Sequence, residues 1–172
     1  NLEVKIMFQR MIHDWFVPVK SEYNDFVKAM FLGDVDAMNE YMNRVALQTF
    51  SYFDTGERAS GAEPERFYHG FVLGLLVDLQ GSYYVKSNRE SGFGRYDVML
   101  EPKKPGKDPA VILEFKVRST RKENSLEETA QSALAQIKDR KYSEELKEKG
   151  IAGEQIKEYG FAFEGKNVLI VN

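Results

Sequence analysis

The stretch AVILEFKV (residues 110–117) decides the fold, because its apolar residues predict a buried strand that nevertheless carries two charges. Side chains of a strand alternate between its two faces. Glu114 and Lys116 therefore share one face with Ala110 and Ile112, while the opposite face is wholly apolar. The apolar face can anchor a core. The other face directs a carboxylate and an ammonium group toward one place.

The residues before this strand predict its partner. Residues 94–101 show a second strand pattern, and KKPGKDP (103–109) between the two patterns is rich in turn-forming residues. An antiparallel hairpin that pairs symmetrically about this turn places Asp97 opposite Glu114. Two directly opposed carboxylates repel each other, and a divalent cation between them removes the repulsion.

Ligands that are all oxygen atoms favour a hard cation, so the opposed carboxylates predict a site for Mg²⁺ or Mn²⁺. Lys116, next to that ion, is suited to position or activate the attacking water and to stabilise developing negative charge. The same residues also fit a structural ion pair, in which Lys116 only neutralises the carboxylates. The residues alone leave both interpretations open.

The whole chain predicts an α/β fold. Helical patterns fill residues 3–51, and a polar segment (53–65) leads into a helix that ends near Leu79. Strand patterns follow at 83–88, 94–101, 109–117, 158–163 and 167–171, with helical patterns at 125–142 and 143–149. We expect a mixed sheet of four or five strands flanked by helices, with residues 1–61 as a helical extension and 62–172 as the core.

Composition narrows the classes of function. The 172 residues include no cysteine, which excludes disulfides and cysteine nucleophiles and fits a reducing cytoplasm. No apolar run is long enough to span a membrane, so no membrane partner is expected. The net charge is −3, yet basic residues outnumber acidic ones in residues 84–122. This segment predicts either a phosphate-binding surface or a solvated loop face.

GFAFEGKN (160–167) has the spacing of a phosphate-binding loop. Asn167 stands where such a loop has the Ser or Thr that binds magnesium, and a strand pattern follows in place of a helix. We therefore predict a hairpin turn here, and no ATP site.

Asp97, followed by Glu114-x-Lys116 on the next strand with a helix on either side, resembles the PD-(D/E)XK nuclease superfamily. Other segments are similar to a bacterial branch of it, in which the nuclease-like domain follows an AAA-ATPase-like domain. These segments are ERFYHGFVLGLL, SNRESGFGRYDVML, ILEFKV, ALAQIKDRKY and GFAFEGKNVLIV, and NLEVKIMFQRMIHDWF resembles the joining segment. One departure is Tyr96, which stands where the superfamily's name has proline.

The resemblance implies a restriction-endonuclease-like core that hydrolyses phosphodiester bonds with Mg²⁺ or Mn²⁺, acting on DNA rather than RNA. Asp97 and Glu114 would hold the metal, and Lys116 would serve the attacking water. Glu65 would complete the metal site, and Gln136 would orient the site or a phosphate. The resemblance also implies an AAA-ATPase-like domain upstream, and it leaves a homodimer open. The competing interpretation is an inactive module of this fold that binds nucleic acid or regulates the ATPase-like partner.

Basic residues near the proposed metal site predict contacts with nucleic acid. Arg89 and Arg95 lie in a glycine-containing segment beside it, and they are expected to contact phosphate oxygens together with Arg118 and Lys122. His69 lies one helical turn after the predicted acidic residue of the first core helix. It either supports the metal site or a phosphate, or packs between helices.

Overall fold

The computed structural model describes residues 20–53, 74, 76, 78–89 and 95–172. Its helices are α1 (Lys20–Leu32), α2 (Val35–Phe53), α3 (Leu126–Asp139) and α4 (Tyr142–Glu148). Its strands are β1 (Tyr83–Arg89), β2 (Arg95–Pro102), β3 (Ala110–Val117), β4 (Ile156–Glu164) and β5 (Asn167–Val171). Short 3₁₀ turns cover Asp78–Gly81 and Gly153–Gln155. The predicted alternation of strands and helices is confirmed for these ranges.

The five described strands form one mixed sheet in the order β1-β2-β3-β4-β5. Strands β3 and β4 are parallel, and the other neighbours are antiparallel. A parallel pair needs a crossover that returns the chain to the same end of the sheet, and α3 and α4 provide it. Gly165 and Lys166 join β4 to β5 as a tight turn, with φ of 56° at Gly165. The prediction of a hairpin in place of a phosphate-binding loop is confirmed.

The register of the β2–β3 hairpin is the predicted one. Asp97 is the partner of Glu114, and Arg95 is the partner of Lys116. Because side chains alternate along a strand, one slipped residue would have moved Glu114 to the other face. The backbone therefore sets the spacing of the two acidic positions.

One face of the sheet packs against α1 and α2. The larger cluster of buried side chains on this face includes Val111, Leu113 and Phe115 of β3, Phe161 and Phe163 of β4, Met30 of α1 and Met42 of α2. The described helices of the predicted extension thus share their core with the sheet. Gly33, at φ 82°, ends α1 in the left-handed conformation that is common after a helix. Asp34 caps the start of α2, because its Oδ1 atom accepts a hydrogen bond from the Ala37 N–H at 3.1 Å.

The other face packs against α3 and α4. Its smaller cluster combines Met99 of β2, Ala110 and Ile112 of β3, Leu134 and Ile137 of α3, and Leu146 of α4. Ala110 and Ile112 alternate with the residues of the larger cluster, as predicted for β3. Glu114 and Lys116 continue the same alternation, so they belong to the face that α3 covers.

Strand β5 lies at the edge of the sheet among the described strands, where backbone groups would lack a neighbouring strand. Two asparagines of α2 pair with these groups. Asn39 donates to the Ile170 carbonyl at 2.8 Å and accepts from the Ile170 N–H at 2.8 Å. Asn43 does the same with Val168, at 2.8 and 3.1 Å. One helical turn matches two residues of strand closely enough for both amides to fit.

We expect Asn39→Ala and Asn43→Ala each to lower the free energy of unfolding by about 1 kcal/mol, because each leaves one N–H and one carbonyl of β5 without a partner. Alanine is the better helix former, so helix propensity acts in the opposite direction. Urea unfolding measures the loss. Glu40→Ala, an exposed position on the same helix, is the control, and equal stability of all three variants would contradict the role of the amides.

Candidate active site

The candidate site lies on the α3 face of the sheet, where Asp97, Glu114 and Gly160 are neighbours on β2, β3 and β4. Glu114 is 1% exposed, and within the described ranges the only other buried polar or charged residue is Thr129. A carboxylate buried among apolar strands is costly, unless positive charge or hydrogen bonds compensate for it. Such a residue in a central strand indicates a function other than packing.

Gly160 determines how closely α3 approaches this part of the sheet. A Cβ atom at this position would collide with the Ala130 carbonyl oxygen, and it would lie 2.8 Å from Leu134 N and 3.3 Å from Ala133 Cβ. The backbone of α3 therefore lies directly on β4. Ala130 and Ala133 are fully buried, so small side chains on the helix complement the missing side chain on the strand.

This close approach brings polar residues of α3 to the charged end of β3. The Lys116 ammonium donates a hydrogen bond to Ser132 Oγ at 2.6 Å, and both residues are half-buried. Gln136 lies one helical turn further along the same side of α3. Its Nε2 atom is buried and has no hydrogen-bond partner in the described part of the chain. Gln136, which the resemblance implied as a site residue, thus lies on the same side of the helix as the Lys116 contact.

Several predicted site residues fall where the structure gives no side chain. Glu65 and His69 lie outside the described residues. The backbones of Arg89, Arg95 and Asp97 belong to β1 and β2, and their side chains lie outside the described part. Among the residues that the structure describes, no group of three or more His, Asp or Glu residues could hold a metal ion. The roles assigned to these five residues therefore stay predictions.

Arg118, predicted to contact nucleic acid, makes several contacts inside the protein. Its Nη1 atom donates to both carboxylate oxygens of Glu164 at 2.8 Å, and its Nη2 atom donates to the Asn124 carbonyl at 2.7 Å. These bonds fasten the loop after β3 to the end of β4. Lys122 is exposed in the same loop. Contacts of Arg118 and Lys122 with phosphates stay predictions.

The loop of residues 118–125 is also held from within. The Glu123 carboxylate accepts hydrogen bonds from the Ser119 N–H at 2.9 Å and from Thr129 Oγ1 at 2.8 Å. Ser125 caps α3, because its side chain accepts from the Glu128 N–H at 3.2 Å. These hydrogen bonds fix the path of the chain from the loop into the first turn of α3.

The basic segment of the sequence is divided between the two ends of the hairpin. Lys103, Lys104 and Lys107 are exposed in the turn between β2 and β3, whereas Arg121 and Lys122 follow the opposite end of β3. Only the second group adjoins Lys116 along the chain. These residues form one basic segment in the sequence, but in the structure the length of the hairpin separates them into two groups.

A second charged group, which sequence reasoning missed, fastens α4 to the first two strands. Lys86 of β1 and Lys149, just after α4, both contact Glu101 of β2, at 3.0 and 2.7 Å. The same two lysines contact Glu145 of α4 at 3.3 and 2.9 Å. The spacing of Glu145 and Lys149 was the only sequence signal, and the strand residues are remote from it along the chain.

Together, the mixed sheet, its flanking helices and the acidic positions with a neighbouring lysine define a nuclease-type α/β fold. A comparison with protein-family models finds a match to the PD-(D/E)XK nuclease superfamily over residues 63–172. The chain belongs to this superfamily, as the sequence motifs predicted. No curated protein and no solved structure gives a significant match. No described helix is long and apolar enough to cross a membrane.

Gly160→Ala should lower the free energy of unfolding by about 2 kcal/mol or more, because the added methyl group forces the α3 backbone away from β4. Gly81→Ala is the matched control, since a Cβ at Gly81 meets no atom within 4 Å. Urea unfolding compares the two variants. Equal losses would show that the close approach of helix and strand is not required.

The charged group around Glu101 should make stability depend on pH. Burial acts to raise the pKa of Glu101, but hydrogen bonds from Lys149 and Lys86 outweigh it and lower this pKa below its usual value. The contribution of Glu101 to the free energy of unfolding is therefore complete above the pKa that Glu101 has in the unfolded chain. It is lost as pH falls through the lower pKa of Glu101 in the folded protein. We expect the stability difference between wild type and Glu101→Gln to shrink as urea unfolding is repeated at lower pH. In a Lys149→Met background this pH-dependent part should be smaller; an unchanged trend would contradict the assignment.

Proposed function

We propose that this chain is a metal-dependent nuclease that hydrolyses phosphodiester bonds of nucleic acid, with DNA as the preferred substrate. The observation that carries the proposal is the pairing of Asp97 with Glu114, which is buried in a central strand. Membership of the PD-(D/E)XK superfamily supports this interpretation over a purely structural ion pair.

The donor set fits a hard divalent cation. Directly opposed residues of an antiparallel pair project to one face of the sheet, so the carboxylates of Asp97 and Glu114 are proposed to share Mg²⁺ or Mn²⁺. The burial of Glu114 supports this, because a cation compensates for a buried carboxylate. Glu65 is proposed as a further ligand. When bound, the ion would neutralise phosphate charge and make a bound water more acidic.

The other catalytic roles are proposed for side chains of the chain itself. Lys116 lies on the same face as Glu114, and its ammonium is proposed to donate a hydrogen bond to the attacking water or to a phosphate oxygen as negative charge develops there. Gln136 is proposed to orient a phosphate, because its buried Nε2 donor has no partner in the described ranges. His69 is proposed to support the site from the first core helix.

Binding of the substrate is proposed to use the basic residues at the Lys116 end of the hairpin. Arg89 and Arg95 would contact phosphate oxygens from β1 and β2, and exposed Lys122 would do so from the loop after β3. Arg118 would contribute mainly by its positive charge and by holding that loop, since Glu164 and Asn124 already accept its hydrogen bonds. Such binding weakens as salt rises.

The biological setting is proposed from the resemblance. We propose that an AAA-ATPase-like domain precedes this domain in the full-length protein, and that the protein acts in the cytoplasm. A homodimer is compatible with the proposal, and sedimentation of the chain with and without DNA would measure it.

With Mn²⁺ and a panel of single- and double-stranded DNA and RNA, we expect the wild type to cleave DNA. Asp97→Ala and Glu114→Ala should abolish cleavage and Mn²⁺ binding, because each removes a ligand. Lys116→Ala should keep Mn²⁺ binding and lose about a hundredfold or more in rate, because the lysine serves the water and the developing charge. Gel assays give the rates, and calorimetry gives the metal affinity.

Lys147→Ala, which removes an exposed lysine of α4, is the matched control and should cleave like the wild type. The isosteric Glu114→Gln should be at least as stable as wild type in metal-free buffer, because it removes a buried charge. A wild type that cleaves no faster than Lys116→Ala would refute catalysis. Retained, salt-sensitive binding in that case would identify an inactive nucleic-acid-binding module, and preferential cleavage of RNA would correct the substrate.

A further inference from the structure

A hydrogen bond between Lys116 and Ser132 links α3 to the charged end of β3. The distance of 2.6 Å is that of a strong hydrogen bond from an ammonium group. Ser132 adjoins Ala133, whose methyl group packs at Gly160 on β4. The backbone position of Ser132 is therefore fixed by the packing of α3 on β4.

We propose that Ser132 is a positioning residue, whose hydroxyl oxygen holds the Lys116 ammonium on the Glu114 side of the sheet. This inference rests on the proposed nuclease function and deepens it. A lysine side chain is long and flexible, so its charged end needs an acceptor at a fixed place to be held in one geometry. Catalysis by a misplaced charge is weaker, because the stabilisation depends on preorganised donors.

Neighbouring residues of α3 are less suited to this task. The hydroxyl of Thr129 already donates to Glu123 at 2.8 Å and stabilises the preceding loop. Ala133 and Leu134 have no polar side-chain atoms and pack against the sheet. Ser132 thus combines an acceptor with a backbone position that the contact at Gly160 fixes.

Steady-state cleavage of DNA with Mn²⁺ tests the proposal. Ser132→Ala should lower kcat about tenfold or more and leave KM within about twofold, because the substrate still binds while the lysine is less well placed. Ser132→Thr keeps the hydroxyl and should retain most of the activity. In a Lys116→Ala background, Ser132→Ala should have no further effect on kcat, since the group that it positions is gone.

Ser143→Ala is the matched control. Ser143 lies on α4 and its hydroxyl donates to Glu158, so this variant also removes a hydrogen bond from a half-buried serine to a charged side chain. It should cleave like the wild type. A wild-type kcat in Ser132→Ala, an effect on KM alone, or the same loss with and without Lys116 would each overturn the positioning role.

A stability readout separates this inference from the proposed function. Urea unfolding of the wild type, Ser132→Ala, Lys116→Met and the double variant gives the coupling between the two side chains without any substrate or metal. A clear coupling supports the hold on Lys116, and no coupling overturns it. Absence of cleavage by the wild type would overturn the nuclease proposal, while the coupling would still decide whether Ser132 fixes the ammonium.

Discussion

The contact of the α3 backbone with β4 at Gly160 is the constraint on which the candidate site depends. Helices usually rest on a sheet through layers of side chains, which leave their backbones well apart from the strands. Here the strand offers no side chain and the helix offers Ala130 and Ala133, so the backbones meet. This contact places Ser132 within hydrogen-bond reach of Lys116. Gln136 follows Ser132 by one turn of the helix. The candidate site thus combines residues of β3 and α3, and small residues hold α3 against the neighbouring strand β4.

The charged end of β3 illustrates a conflict between stability and function. A central strand is most stable when both faces are apolar, and the residues of β3 before Glu114 follow that rule. Burying Glu114 opposite a second acidic position works against stability. Departures of this kind are expected where a protein binds or transforms a ligand.

Polar contacts stabilise the parts of the sheet that surround the candidate site. Asn39 and Asn43 pair with the open edge of β5, where an additional strand would otherwise fit. At the other side of the sheet, Lys86 joins β1 to Glu101 of β2 and to Glu145 of α4. The loop after β3 is fixed by Arg118 and Glu164. Among the described strands, these contacts restrain β1 and β5 at the two edges, while β2 and β3 between them carry the acidic positions of the candidate site.

The sequence by itself determined the strands and helices that the structure describes from residue 83 onward, and the register that sets Asp97 opposite Glu114. Alternation along residues 110–117 and the turn at 103–109 were enough to predict which residues share a face and that Asp97 opposes Glu114, because both depend on the period of a strand and the symmetry of a hairpin. Only the tertiary structure revealed the contact of Lys116 with Ser132, the pairing of Asn39 and Asn43 with β5, and the separation of the basic residues between two ends of the hairpin. These features join residues that are distant along the chain, or depend on how far a strand extends in space, and neither leaves a periodic signal in the sequence.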